Sequence, residues 1–157
     1  MSVNYHNRNY VGWVNKLVFP FVNGTAYDDS GWDIDVPAEY ATAFIHLPVD
    51  LQTVIWIRIY ARSMLTEAHG MALTITANGG ASNEAYNTEA ISIADKISET
   101  LNFTADDIIY WEIDSGDDAD IGHLTGGDSV EFKVVGQAAV GDNYATDARF
   151  RCVEIYY

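Results

Sequence analysis

One cysteine, three prolines and eight lysines and arginines stand in a chain of 157 residues, and each scarcity excludes something. A lone Cys152 rules out an internal disulfide framework, and its strand-like surroundings assign it to a small buried hydrophobe rather than a nucleophile. With eight basic residues against 23 acidic ones the formal charge is −15, and phosphate backbones are held by clustered Lys and Arg that this chain lacks. Nucleic acid is therefore not an expected partner, and an anionic membrane would repel the chain as well. No apolar run approaches membrane-spanning length, and the opening "MSVNYHNRNYVGW" has no apolar core of a secretory signal. Synthesis in the cytoplasm is expected, with release by lysis or within a particle. The sequons at Asn23 and Asn102 are then chance matches. The excess of Asp over Lys is a balance that high salt tolerates, because salt screens the mutual repulsion of carboxylates.

Strict alternation of apolar and polar residues recurs at short intervals. It predicts an opening strand over Asn15–Phe19 ended by Pro20, then strands at Thr42–Leu47, Thr53–Arg62 and from Met71 through "GMALTITA". The short "PVDLQ" between the second and third reads as a hairpin connection. Further strands are expected in "IIYWEID", after a single turn at Thr104, in "SVEFKVV" and in "ATDARFRCVEIYY". Two long polar stretches, "VNGTAYDDSGWDIDVPAEY" and "SGDDADIGHLTGGD", read as loops. "TEAISIADKISETLNF" does not choose cleanly between strand and helix, and only its Ile- and Leu-containing ends are read as strands. Eight or nine strands without βα alternation predict an all-β fold, an antiparallel β-sandwich with an eight-stranded jelly roll as the leading topology. An immunoglobulin-like sandwich is the alternative. Residues 16–157 form the single domain in this reading, and 1–15 a polar, aromatic amino-terminal arm.

Enzymatic motifs are few. There is no Gly-x-Ser-x-Gly elbow, no His-x-His, His-Glu-x-x-His or Cys-x-x-Cys, and His6, His46, His69 and His123 are far apart. Glu112 and Glu131 fall on strands, but spacing does not make them face one another as glycoside hydrolysis requires. Gly126-Gly127-Asp128 is a turn and not a phosphate cradle, because a strand follows where a helix N-terminus would be needed. The chain is read as no enzyme and as carrying no cofactor.

Three groups of residues are candidate binding positions. Trp56, Arg58, Tyr60 and Arg62 form the second row of the strand "TVIWIRIYAR", opposite Ile55, Ile57, Ile59 and Ala61. Aromatics and arginines are enriched at protein–protein contacts, so this row is the expected surface for another copy of the chain. The rival assignment covers the outer sheet with Trp56 and Tyr60 and pairs the arginines within the chain. Tyr27, Trp32 and Asp33, with Asp28 and Asp35 nearby, are the candidate glycan contact, aromatic platforms beside hydroxyl acceptors; equally, Trp32 pins its loop to the sandwich. Asp114, Asp117, Asp118 and Asp120 form a weak calcium candidate whose spacing is not that of an EF-hand, and a solvated acidic loop is the stronger reading.

"ATAFIHLPVDLQTVIWIRIYAR", followed much later by "GGDSVEFKVVGQAAVGDNYATDARFRCVEIYY", resembles the small β-sandwich structural proteins of tailed viruses, the head-decoration, turret and fibre-type proteins, many of them jelly rolls. The resemblance covers about residues 42–157. It implies a non-enzymatic virion protein that self-associates, commonly as a trimer, and binds the major shell protein of the particle, the arm at 1–15 gripping a neighbour. A carbohydrate-binding or receptor-binding module is the competing expectation.

Overall fold

The computed structural model describes residues 2–4, 13–28, 31–81, 83–85 and 87–157. The described chain is an antiparallel β-sandwich. Twelve strands are seen among these residues: β1 (Ser2–Asn4), β2 (Trp13–Pro20), β3 (Asn23–Gly24), β4 (Ala26–Asp28), β5 (Gly31–Ile34), β6 (Tyr40–His46), β7 (Trp56–Ser63), β8 (Ala72–Gly80), β9 (Glu89–Ile97), β10 (Ile108–Asp114), β11 (Ser129–Gly136) and β12 (Ala148–Tyr156).

In the seven-stranded sheet β7 lies between β10 and β12, and the far side of β12 is shared by β2 and β5, with β1 beyond β2 and β4 beyond β5. The five-stranded sheet runs β3-β6-β11-β8-β9. The long strands thus read β2-β12-β7-β10 in one layer and β6-β11-β8-β9 in the other, an order compatible with the expected eight-stranded jelly roll. Alternation puts Ile57, Ile59 and Ala61 of β7 inside, against Val130, Phe132 and Val134 of β11 and their neighbours in one core. Each fully buried branched or aromatic side chain there contributes about 1.5–3 kcal/mol. At the centre Trp111 stacks on Phe150 at 5.5 Å and donates its indole N–H to the Met71 carbonyl at 2.9 Å, so even the largest ring has its polar atom satisfied.

Four sequence expectations are corrected or made definite. The segment 42–62 is not a hairpin: β6 and β7 lie in different sheets, and Leu47, Leu51 and Val54, buried along the connection, carry the chain from one layer to the other. The stretch expected as a loop at 22–40 contains β3, β4 and β5, with β4 and β5 paired. The ambiguous segment is an edge strand, β9. Trp13 and Val14, placed in the arm by sequence, open β2, and Trp13–Asn15 pair with Ser2–Asn4, whereas the rest of the arm lies outside the described residues. Among the described residues, no helix is long and apolar enough to cross a membrane.

Candidate functional site

The row Trp56, Arg58, Tyr60 and Arg62 does point away from the core, as the alternation predicts, but β7 is a central strand and its neighbours supply partners from both sides. Trp56 is 1% exposed and stacks on Tyr156 of β12 at 5.2 Å. Arg58 reaches Glu112 of β10 at 2.6 Å, and its guanidinium lies 5.0 Å from the Tyr110 ring and 5.3 Å from the Tyr156 ring. Tyr60 packs on Tyr110, and burial pushes its phenol up despite hydrogen bonding with Arg58 and Tyr156 that draws it back. Arg62 lies 3.4 Å from Asp106. Glu154 of β12 takes Lys16 at 2.7 Å and the Tyr156 hydroxyl. Both guanidiniums thus have a carboxylate of their own chain within ion-pair distance.

The second group divides. Trp32 donates its indole N–H to the Phe21 carbonyl at 3.0 Å, which pins the β4–β5 ribbon to the sandwich. Asp33 is held by Arg149, which also reaches Asp28 at 3.0 Å. Tyr27 alone of the three is presented to solvent, 63% exposed and tilted against Trp32 at 4.9 Å.

The acidic loop has a structural occupation. β9 is the sheet edge, and its outward N–H groups need acceptors. Asp118 accepts from Ser92 at 2.9 Å and Asp120 from Ala90 at 3.2 Å, while Gln137 accepts from Asp95 at 3.1 Å. Asp118 also caps the 3-10 helix Ala119–His123, Asp114 accepts from Gly116 at 2.8 Å, and Asp117 binds Lys96 at 3.0 Å and accepts from the Asp114 N–H at 3.1 Å. Asp118 and Asp120 thus cover the edge, while Asp114 and Asp117 are engaged within the loop and by Lys96. Among the described residues, Glu84, Glu89 and Asp128 form a group of three carboxylates whose oxygens lie within 4.8 Å of one another.

Glu112 and Glu131 lie in opposite sheets and form no pair for glycoside chemistry. The described histidines stay apart: His46 bonds the Ser129 hydroxyl at 2.8 Å, His123 approaches Asp120 at 3.4 Å and His69 packs on Tyr144. Cys152 is half-buried, and burial together with the Glu154 charge pushes its thiol up, away from the reactive thiolate.

A feature not singled out from the sequence occupies the outer face of the five-stranded sheet. A groove of ≈ 610 Å³ is lined by Phe44, His46, Gly80, Glu84, Ser129 and Glu131, among others. Phe44 stands opposite Glu131 in register and is 59% exposed. Its signal was in the strand "TAFIHL": Ala43, Ile45 and Leu47 make the inner row, and Phe44 interrupts the polar one. A scan against protein-family models finds no match to this chain, and no curated protein matches it.

Proposed function

We propose that the chain is a structural subunit of a virus particle, a head-decoration, turret or fibre-type sandwich that self-associates through the outer face of its five-stranded sheet. The observation that carries the reading is Phe44, an aromatic ring more than half exposed on the outer face of the five-stranded sheet and bordered by polar residues, the composition of a protein–protein contact. On the other sheet, Arg58 and Lys16 already have carboxylate partners in Glu112 and Glu154. Repulsion between copies carrying −15 each opposes association in dilute buffer, and salt relieves it. Assembly therefore strengthens with salt. Phe44→Cys, treated with a short bis-maleimide, should give linked chains, while Leu101→Cys, comparably exposed in the β9–β10 connection, should not. Equal linkage at both positions contradicts the reading.

The second reading, a glycan-binding module, draws on Tyr27, an exposed ring backed by Trp32 beside carboxylates. Titration of soluble sugars against tryptophan fluorescence, lost on Tyr27→Ala, would favour it over assembly.

A further inference from the structure

The inner row of β9 runs Glu89, Ile91, Ile93, so the alternation that buries two isoleucines carries a carboxylate inward at the strand's first position, opposite Gly79. Glu89 is 7% exposed, and among the described residues its Oε2 has no hydrogen-bond partner. Asp128, 2% exposed, lies in the turn before β11, where one of its oxygens accepts from the Thr125 N–H at 2.7 Å. Glu84, in the β8–β9 connection, uses one oxygen to accept from the Ala81 N–H at 3.1 Å. Each of the three has an oxygen within 4.8 Å of those of the other two.

Three carboxylates so placed repel one another, and burying an unpaired anion costs several kcal/mol. Burial first, then the charges of Asp128, Glu84 and Asp120, raises the Glu89 carboxyl above its ordinary range. Among the described residues none of the three is in an ion pair with Lys or Arg. A proton or a bound cation can relieve the repulsion, and the two differ in what they ask of geometry. Oxygen donors without nitrogen or sulfur select hard cations. Ligands at about 2.3–2.6 Å from calcium can stand up to about 5 Å apart, whereas the octahedron of magnesium, at about 2.0–2.1 Å, closes at about 4.2 Å. An oxygen set in which every pair lies within 4.8 Å can be spanned by an ion of calcium's size.

We propose that Glu84, Glu89 and Asp128 bind a divalent cation of the calcium class, which ties the β8–β9 connection to the turn before β11. The site shares Glu84 with the groove that holds Phe44, so the ion would also fix one wall of that groove. It depends on neither reading of the function.

The test uses the full chain freed of metal by EDTA, titrated calorimetrically with CaCl2 and with MgCl2 and melted with and without each. One calcium should bind per chain and raise Tm, with magnesium at least about tenfold weaker. Glu89→Gln should lose at least about tenfold in calcium affinity while melting in EDTA at or above the wild-type temperature, because it removes repulsion. Glu131→Gln, in the same groove but outside the triad, should bind calcium as the wild type does. Should Glu89→Gln fail to fold, Glu84→Gln, at an exposed turn, should show the same loss. No saturable heat and an unchanged Tm in millimolar calcium would overturn the proposal and leave a carboxyl proton as what relieves the cluster. So would undiminished calcium binding by the glutamine variants.

Discussion

Arg58 on β7 and Glu112 on β10 stand opposite one another in register, Nε to Oε2 at 2.6 Å, with 14% and 4% of their side chains exposed. Flanked by the Tyr110 and Tyr156 rings, the pair anchors a layer of alternating charge and aromatic surface on the outside of the seven-stranded sheet. Its burial makes it costly to break and inexpensive to replace as a whole. Arg58→Ala should destabilise by about 3 kcal/mol in urea unfolding, and the Arg58→Met, Glu112→Leu double variant should recover most of that loss. A double variant as unstable as the single one would mean that the rings, not the charges, hold Arg58 in place.

Trp111 at the core centre should be equally sensitive. Trp111→Phe removes the donor to the buried Met71 carbonyl and thins the stack on Phe150, and should cost about 2–3 kcal/mol. Denaturant unfolding checks it.

Asp118→Ala would uncover the Ser92 N–H on the β9 edge and remove the cap of the 3-10 helix. The expected loss is about 1–2 kcal/mol, accompanied by faster aggregation on warming, because an opened edge is a template for another strand. Light scattering during a melt reads both effects.

Asp147 gives a pH signature. Burial, with Asp35 and Asp33 nearby, raises its carboxyl above the ordinary value. The folded chain therefore binds this proton at a pH where the unfolded chain has released it. The contribution of Asp147 to stability falls as pH rises through the folded value and is unpenalised below the unfolded one. Asp147→Asn should melt higher than the wild type at pH 7, the gap closing toward pH 4. A constant gap would point to a cause other than ionisation.

How far the sequence could be read depended on whether a strand keeps its period. β7, β10 and β11 alternate without interruption and were legible to within a few residues. β9 was not, because one extra residue enters it opposite Leu73–Ile75, around Asp95 with φ 56°, and Ile93 and Ile97 fall out of step. β12 has a similar irregularity between Phe150 and Cys152, so Phe150 and Val153 both face inward. The turn at Gly126-Gly127 was legible: Gly127 takes φ 95°, and a Cβ on Gly126 would meet the Pro48 and Val49 carbonyls at 2.6 Å. Length alone made 42–62 a hairpin, since a short connection can turn back within one sheet or cross to the other. The outward row of β7 was read correctly as a row, but its partners, Glu112 and Tyr156, come from strands some 50 and 100 positions away, and no local pattern announces them. The triad at 84, 89 and 128 was hidden for the same reason.

Self-association through Phe44 is tested most directly by mass in solution. Light scattering on the wild-type chain at about 50–100 μM and in molar salt should give a multiple of 17.4 kDa, and Phe44→Ser should return it to a single chain with an unchanged far-UV spectrum. A wild-type mass of 17.4 kDa under all these conditions, or an oligomer indifferent to Phe44→Ser, would contradict the account.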